Sequence, residues 1–508
     1  MSSLMLPMDE HNKVLIDHVH PSDWKNPTPK DLYDMVVIGA GPAGLITSLF
    51  AAGTGAKVAL IERHLMGGDC LNVGCVPSKC LIASGKTVGG IQEASRFGVH
   101  VPDGVEVDFA GVMKRMRAVR AGISHHDSAE RFTEKGIDVF IGSGSFVDDQ
   151  TIQVEDAKLK FRKAVIATGN RAAKLPIPGL DEVGYLNNET VFQLTELPKR
   201  LAVIGGGPIG CELAQCFRRF GAEVHLLEVA PQILIREDRE AAKIVEAALV
   251  KDGLNLITGC KIQGMDKDEN GKTIRFDTDD ETGQSIQVDE ILLAVGRAPN
   301  IEGLNLDKVG VEFDEQTGVK VNDYLQTANS RIFAAGDICF PYKFTHVADA
   351  MAKIVFKNAL ASPFGLSKRS TKSLIIPWAT YTDPEIAHVG MYEKDAEEAG
   401  IAIDTYSHAI NETDRGLADG DEEGFVKVHT KKGTGTIVGA TIVAKHAGDL
   451  ISLITSAMVN KLPLGSFGNV IFPYPTQAEA IKRVAGAYSL TTFKPWKQKL
   501  VSFIRKLS

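Results

Sequence analysis

The chain has 508 residues, of which 44% are hydrophobic and 24% charged, and 64 acidic against 56 basic side chains give a net charge of −8. At roughly 150 residues per domain, this length predicts about three domains with large buried cores. The acidic balance argues against a dedicated nucleic-acid binder, and seven cysteines are too few and too odd a number for a disulfide scaffold. We therefore expect a soluble, multidomain, cytoplasmic protein.

Residues 1–31 are polar and contain His11, His18 and His20. No apolar run there is long enough for a signal peptide or a membrane-spanning helix. The spacing of the three histidines matches no metal-ligand template, which favours a solvated arm over a metal site.

Two segments of the chain repeat at one fixed offset. Residues 35–44 read MVVIGAGPAG and residues 201–210 read LAVIGGGPIG, while GAKVALIE at 55–62 corresponds to GAEVHLLE at 221–228. Each copy predicts a buried parallel strand, then G-x-G-x-x-G, a helix, and a second strand that ends in glutamate. Two such fingerprints in this context predict two dinucleotide sites.

The glycines and the glutamate of each fingerprint have separate roles. The first glycine permits the tight turn, the second lets the backbone approach a pyrophosphate, and the third lets the helix pack on its strand. The glutamate should accept hydrogen bonds from ribose hydroxyls. These residues are Gly39, Gly41, Gly44 and Glu62 in the first copy and Gly205, Gly207, Gly210 and Glu228 in the second. Because the carboxylate of Glu228 would repel the 2′-phosphate of NADPH, we expect NADH to be preferred, with NADPH as the alternative.

A cysteine pair follows the first fingerprint in the run GGDCLNVGCVPSKC, at positions 67–80. Pro77 predicts a helix that begins near Cys75, where the helix dipole favours thiolate over thiol. Zinc sites use Cys-x2-Cys pairs, which the chain lacks, and inert core cysteines are a second alternative. The position beside a flavin-type fingerprint favours a redox-active dithiol or disulfide of Cys70 and Cys75, with Cys80 as a structural thiol.

This run resembles the active-site signature of the class I flavoprotein pyridine nucleotide-disulfide oxidoreductases. That family includes dihydrolipoamide dehydrogenase, glutathione reductase and mercuric reductase. The supporting motifs are A-T-G at 167–169, A-V-G-R at 294–297, A-A-G-D at 334–337, T-D-P-E-I-A-x-V-G at 382–390 and Y-P-T-x-x-E at 474–479. The resemblance implies an α/β fold with two Rossmann-like dinucleotide-binding domains and a C-terminal α+β interface (dimerisation) domain.

The resemblance also implies the domain boundaries and a homodimer in which each chain completes the active site of its partner. The expected order is an N-terminal arm (1–31), the first stretch of a split FAD-binding domain (32–185), an NAD(P)-binding domain (186–298), the second stretch of the FAD-binding domain (299–372), an interface domain (373–490) and a basic C-terminal tail (491–508).

By the same resemblance, the cofactors are FAD and a nicotinamide nucleotide. Electrons would pass from NADH through FAD to a Cys70–Cys75 disulfide and then to a small-molecule or metal-ion acceptor. Cys75 would face the flavin and Cys70 would exchange with substrate, while Lys79 and Glu212 match an ion pair beside the reactive edge of the flavin. The other expected cofactor-binding residues are Gly169, Gly296, Asp337 and His346, of which His346 fits a structural role equally well.

Position 474 departs from the lipoamide and glutathione enzymes of the family. They have a histidine there, oriented by the glutamate that matches Glu479, which protonates the departing thiolate. Tyr474 is a poorer proton relay at neutral pH and resembles mercuric reductases, which favours Hg(II) or a metal–thiol complex as the acceptor. The C-terminal cysteine pair of those enzymes is absent, since no cysteine follows Cys339. The alternatives are a dihydrolipoamide dehydrogenase-like or other disulfide reductase, and a diaphorase or quinone reductase.

The C-terminal segment 491–508 carries five basic and no acidic side chains. Trp496, Leu500, Phe503 and Ile504 recur at helical spacing. Such a tail could contact an anionic membrane surface, and the simpler interpretation is a terminal helix that packs on the body of the protein.

Overall fold

A computed structural model describes residues 5–362, 365–491 and 502–506. It confirms the α/β fold class, with two dinucleotide-binding units and a C-terminal α+β domain. The prediction for the basic tail falls mainly on residues 492–501, which lie outside the described residues. In the described part of the chain, no helix has the length and apolar character needed to cross a membrane.

The strands are β1 (Tyr33–Ile38), β2 (Val58–Glu62), β3 (Ile137–Ile141), β4 (Gly144–Asp148), β5 (Thr151–Val154), β6 (Ala157–Ile166), β7 (Asn170–Ala172), β8 (Arg200–Ile204), β9 (Glu223–Leu227), β10 (Asn255–Ile257), β11 (Lys261–Asp268), β12 (Gly271–Asp277), β13 (Gln284–Val288), β14 (Glu290–Leu293), β15 (Arg297–Pro299), β16 (Phe313–Asp314), β17 (Gly318–Val319), β18 (Ile332–Ala334), β19 (Pro377–Thr380), β20 (Glu385–Gly390), β21 (Ile403–Ala409), β22 (Phe425–Lys431) and β23 (Ile437–Ala444).

The α-helices are α1 (Glu10–Val19), α2 (Pro42–Gly53), α3 (Gly68–Asn72), α4 (Cys75–Glu93), α5 (Phe109–Ser124), α6 (Ala129–Glu134), α7 (Leu180–Val183), α8 (Pro208–Arg219), α9 (Arg239–Lys251), α10 (Thr345–Leu360), α11 (Glu393–Glu398), α12 (Asp414–Ala418), α13 (Ala447–Val459) and α14 (Glu479–Thr491).

The first dinucleotide-binding unit is built on a seven-stranded sheet with the order β3-β2-β1-β6-β5-β4, to which β18 is added beside β6. β1 lies between β2 and β6 and is parallel to both. It is almost wholly buried, as expected of a parallel strand that is covered on both faces. Since β18 follows the second unit in the chain, this sheet is assembled from two separate stretches of sequence.

The second unit repeats the first, with β8, β9, β10 and β14 in one parallel sheet of order β10-β9-β8-β14. The helices α2 and α8 have the same length, and each begins at the proline that follows the middle glycine of its fingerprint. The sequence repeat is therefore a structural repeat, and it places two helix N-termini at the carboxyl ends of two parallel sheets.

The C-terminal domain has an antiparallel sheet of order β19-β20-β23-β22-β21, with α13 and α14 packed on it. Its core is a cluster of apolar residues from these strands and helices. The Y-P-T-x-x-E motif lies in the segment that leads into α14.

The expectation of a solvated N-terminal arm is wrong for the described residues of that segment. Asp9 caps α1 by accepting from two backbone N–H groups, and Leu15 and Val19 are fully buried. The helix packs on α5 and belongs to the core of the first unit. Among the described residues, no group of three or more His, Cys, Asp or Glu side chains is arranged to hold a metal ion.

Candidate active site

A cavity of about 2160 Å³ runs between the two dinucleotide-binding units and the C-terminal domain. Most of the site residues predicted from the sequence line it: Gly39, Gly41, Glu62, Cys70, Cys75, Lys79, Gly169, Gly205, Gly207, Glu212, Glu228, Gly296, Asp337 and His346. Gly44 and Gly210 lie behind the lining, in α2 and α8. Tyr474 and Glu479 are not part of this cavity.

Two of the three glycines in each fingerprint are required by the fold itself. Gly39 and Gly205 have φ of +104° and +107°, and a Cβ on either would lie 2.3 or 2.5 Å from a carbonyl oxygen. A Cβ on Gly44 or Gly210 would lie 1.8 or 1.9 Å from the carbonyl oxygen of the first glycine. These positions exclude any side chain for internal reasons, whether or not a ligand is present.

The middle glycines are different, because the fold leaves space beside them. A Cβ on Gly41 would lie 3.8 Å from the nearest atom, the Cα of Gly68, and a Cβ on Gly207 would have no neighbour within 4 Å. Both glycines line the cavity as the N-caps of α2 and α8, where free backbone N–H groups attract anions. The chain thus fits a ligand whose phosphates approach the backbone closely, as the pyrophosphates of FAD and of a nicotinamide nucleotide do.

The acidic residues at the ends of β2 and β9 are held in the same way. Glu62 accepts from the backbone N–H of Ala40 at 2.7 Å and of His64 at 2.8 Å. Glu228 accepts from the backbone N–H groups at the corresponding positions, residues 206 and 230, at 2.6 and 2.7 Å. Each carboxylate is fixed at the cavity wall and retains lone pairs for a ribose hydroxyl.

The two cysteines of the redox loop (residues 67–75) lie close enough to shift each other's pKa. The hydroxyl of Thr345 lies 3.4 Å from the Sγ of Cys75. α4 begins at Cys75, as the sequence predicts. The thiol of Cys70, helped by Thr345 and the charge of Lys79, lowers the pKa of Cys75 to about 6 against the effect of burial. The proximity of Cys75 in turn raises the pKa of Cys70, so Cys75 is the thiolate and Cys70 the thiol at neutral pH.

Lys79 and Glu212 form an ion pair at 2.9 Å across the packed helices α4 and α8. The carboxylate also accepts from the backbone N–H of Tyr381 at 2.9 Å, and the ammonium group lies 4.5 Å from the centre of the Tyr381 ring. Although burial opposes the charge, Glu212 raises the pKa of Lys79. A permanent positive charge therefore lies on the cavity wall close to the Cys75 thiolate.

Three polar residues of the cavity wall form a network. Arg297, from the A-V-G-R motif, pairs with Asp69 of the redox loop and donates to the Oδ1 of Asn170 at 2.6 Å. Burial raises the pKa of Asp337, against the charge of Arg297. The sequence does not single out Thr345, Tyr381 or the Arg297–Asp69 pair, although Thr345 directly precedes the predicted site residue His346.

The side chain of His346 is tied to the C-terminal domain. Its Nε2 lies 2.8 Å from the carbonyl oxygen of Pro377, and its ring stacks on Phe344 with centroids 5.4 Å apart. These contacts fit a structural role for His346, although the residue also lines the cavity.

Tyr474 lies outside the cavity and is 71% exposed. Its hydroxyl donates to the Oδ2 of Asp414 at 2.6 Å, and this hydrogen bond raises the pKa of the phenol. Glu479 instead pairs with Arg483 at 2.7 Å. The thiols, the Lys79–Glu212 ion pair and both fingerprints therefore line one cavity of a single chain, and the phenol of Tyr474 lies outside it.

Comparisons with known proteins identify the family of the chain. The sequence model of the pyridine nucleotide-disulphide oxidoreductases matches residues 33–352, and the model of their dimerisation domain matches residues 376–485. The chain is 36% identical to a mercuric reductase of Staphylococcus aureus over 453 residues (89% of this chain, 82% of the relative). It is 33% identical to a dihydrolipoyl dehydrogenase of Thermus scotoductus over 468 residues (90% and 97%). Among solved structures, the Cu(II) complex of the HOCl-induced flavoprotein disulfide reductase RclA from Escherichia coli superposes with a TM-score of 0.79 at 26% identity (90% and 100%).

Proposed function

This chain belongs to the pyridine nucleotide-disulphide oxidoreductase family, and on that premise we propose that it transfers electrons from NADH to a soft metal ion, Hg(II) or a related metal–thiol complex. The electrons pass through the Cys70–Cys75 pair. The observation that carries the proposal is that Cys70 and Cys75 line the same cavity as both dinucleotide fingerprints.

The family uses FAD and NAD(P)H, and FAD would supply the step from hydride transfer to sulfur reduction. Reduction of the Cys70–Cys75 disulfide takes up two electrons and one proton, and yields one thiol and one thiolate. The proton resides on Cys70, whose pKa is raised, and the negative charge resides on Cys75, whose pKa is lowered. Lys79 faces that charge and stabilises it.

The second fingerprint supports NADH as the electron donor. Glu228 is anchored by two backbone N–H groups, so its carboxylate cannot turn away from a ribose bound at the end of β9. A 2′-phosphate there would meet a fixed negative charge, whereas a 2′-hydroxyl would donate to it. NADH is therefore the proposed donor.

The phenol of Tyr474 supports a metal ion as the electron acceptor. The proton of Tyr474 is directed at Asp414, so the lone pairs of its oxygen, and not its proton, face other partners. Such a group is a ligand for a cation and a poor acid for a departing thiolate. Because the dimerisation domain forms a homodimer in this family, we propose that Tyr474 acts at the thiols of the partner chain. The resemblance to a mercuric reductase and to a reductase in complex with Cu(II) supports a metal acceptor.

A disulfide reductase of the dihydrolipoamide dehydrogenase type is the second candidate, favoured by the 33% identity to the Thermus scotoductus enzyme. In that reaction the departing thiolate needs a proton, and the exposed Tyr474–Asp414 pair offers no proton at neutral pH. Tyr474→His tests this point, because an imidazole could supply the missing proton.

The experiment is a panel of acceptors (Hg(II), Cu(II), lipoamide, glutathione disulfide, a quinone and oxygen) with NADH and NADPH as donors. We expect the highest kcat/KM with a metal ion and NADH, and a gain of disulfide reduction in Tyr474→His. Higher kcat/KM with lipoamide than with any metal ion would overturn the proposed acceptor. If a Cys70→Ser/Cys75→Ser variant reduced quinones at the full rate and reduced none of the other acceptors, the protein would be a diaphorase.

A further inference from the structure

Residues 5–31 precede Tyr33, the first residue that the family's sequence model matches. They are nevertheless part of the core. α1 packs on α5 and contacts α6, and Met5, which is 2% exposed, lines the cavity. Further along, Asn26 exchanges two hydrogen bonds with the backbone of Ile141 at the end of β3, at 2.8 and 3.0 Å. The segment from residue 5 to residue 31 is therefore fixed to the first unit at several places.

A chain of buried polar groups leads from α1 to the redox loop. Asp9 pairs with Arg117 of α5 at 2.6 Å, and the Oδ1 of Asn12 accepts from the Nη2 of Arg120 at 2.7 Å. The other terminal nitrogen of Arg120, Nη1, donates to the carbonyl oxygen of Asn72 at 2.6 Å. Asn12 is fully buried and Arg120 is 2% exposed, so this connection is shielded from water.

Asn72 lies between the two cysteines and holds the loop in shape. It ends α3, and its side-chain amide donates to the carbonyl oxygens of Met66 at 3.0 Å and Gly68 at 2.9 Å. The backbone N–H of Met66 in turn donates to the carbonyl oxygen of Val19, the last residue of α1, at 3.1 Å. Both ends of α1 are thus joined to the loop that carries Cys70, one directly and one through Arg120.

Arg120 depends on these acceptors because it is a buried cation. Burial and the charge of Arg117 lower the pKa of Arg120 to about 10, so the guanidinium group is still charged at neutral pH. Its described acceptors are the side chain of Asn12 and the backbone of Asn72. A buried charge that loses an acceptor is strongly destabilised, so loss of the Asn12 side chain is expected to displace Arg120 from Asn72.

We propose that residues 5–31 are a positioning element of the active site, in which Asn12 and Arg120 hold Asn72 so that Cys70 stays beside Cys75. The inference rests on the proposed function of the two cysteines. Neither Asn12 nor Arg120 lines the cavity, and both act through the backbone of α3. The thiol of Cys70 can stabilise the Cys75 thiolate only while α3 holds it in place, so a looser loop weakens that stabilisation.

The test is a pH titration of Asn12→Ala in the FAD-loaded, full-length protein after reduction by two electrons. The readout is the long-wavelength absorbance of a thiolate beside oxidised flavin, which reports the ionisation of Cys75 and not turnover. We expect the midpoint of Asn12→Ala to lie about one pH unit above that of the parent, because the donor that stabilises the thiolate is displaced. Asn12→Asp, whose carboxylate still accepts from Arg120, should return the midpoint close to the parent value.

Asn358→Ala is the matched control. Asn358 is also buried and donates to two backbone carbonyls, but it lies near the opposite end of α10 from Thr345, about 20 Å along the helix axis. Asn358→Ala should lower Tm without moving the midpoint of the pH titration. An Asn12→Ala midpoint equal to that of the parent would overturn the inference and leave the proposed function standing. Absence of the absorbance in the parent at every pH would contradict the proposed function and the inference together.

Discussion

The two halves of the proposed site are built in opposite ways. The thiol half (Cys70, Cys75, Lys79, Glu212 and Thr345) is gathered from the redox loop, α4, α8 and the start of α10 of a single chain. Every member lines the same cavity, and each is held by at least one other member. One chain therefore supplies the whole thiol half of the proposed site.

The phenol half (Tyr474, Asp414 and Glu479) lies in the C-terminal domain and does not line that cavity. Tyr474 is 71% exposed and its described hydrogen-bond partner is Asp414. The difference is that a single chain gathers the thiol half in one cavity and leaves the phenol outside it. Under the proposed function, the phenol half acts on a second copy of the chain, joined through the dimerisation domain.

The largest expected effect is the loss of activity when the thiolate of the thiol half is removed. Cys75→Ser removes the thiolate, and we expect the rate of metal-ion reduction to fall by about three orders of magnitude, since Cys70 alone cannot form the disulfide through which the electrons pass. Steady-state kinetics with NADH measure this. Cys80→Ser, a buried thiol on the same helix, should change the rate by less than about twofold, and an equal loss in both variants would contradict the assignment.

A smaller loss is expected when the charge beside the thiolate is removed. Lys79→Met leaves Glu212 buried without its partner and removes a cation that stabilises Cys75, so kcat should fall by about a hundredfold. Lys86→Met is the matched control, because Lys86 forms an ion pair with Glu385 at 2.7 Å from the same helix without contacting the thiols. Similar values of kcat in the two variants would mean that the ion pair only stabilises the fold.

The pH dependence of turnover should follow the thiol half. Because the pKa of Cys75 is lowered to about 6, the thiolate is present above that pH and is lost as the pH falls through it. Between about pH 8 and about pH 5 we expect kcat/KM to fall by roughly tenfold. A midpoint near the ordinary pKa of a cysteine would contradict the stabilisation of the Cys75 thiolate by its neighbours.

The smallest effect concerns the phenol half. Asp414→Asn removes the carboxylate that accepts the phenol proton, and we expect kcat/KM for Hg(II) to fall by about threefold while the rate with quinones is unchanged. Asp419→Asn, which breaks a nearby pair with Arg415, should alter neither rate. Equal losses with Hg(II) and with quinones would show that Asp414 does not act at the acceptor.

The paired fingerprints can be predicted from the sequence because the conformation of their glycines is determined by neighbouring residues in the chain. A positive φ at Gly39 or Gly205 and a carbonyl contact at Gly44 or Gly210 depend only on the turn and its own helix. The start of α4 at Cys75 is local in the same sense, since Pro77 favours the first turn of a helix.

The contacts that the sequence does not reveal join residues far apart in the chain. Asp414 reaches Tyr474 across 60 residues, and Asn12 reaches Arg120 across 108. The polar composition of α1 favours a solvated arm, although the Asp9 cap and the spacing of Leu15 and Val19 are typical of an amphipathic helix. Its burial depends on α5, which no local pattern in residues 1–31 discloses.

The most direct test of the electron path is an anaerobic titration of the FAD-loaded protein with NADH, with free thiols identified by alkylation and mass spectrometry. We predict that the first equivalent of NADH opens a disulfide between Cys70 and Cys75, exposing these two thiols and producing the long-wavelength absorbance of a thiolate beside oxidised flavin. If the first equivalent instead bleaches the flavin while Cys70 and Cys75 remain joined, electrons do not pass through the thiols and the account is wrong.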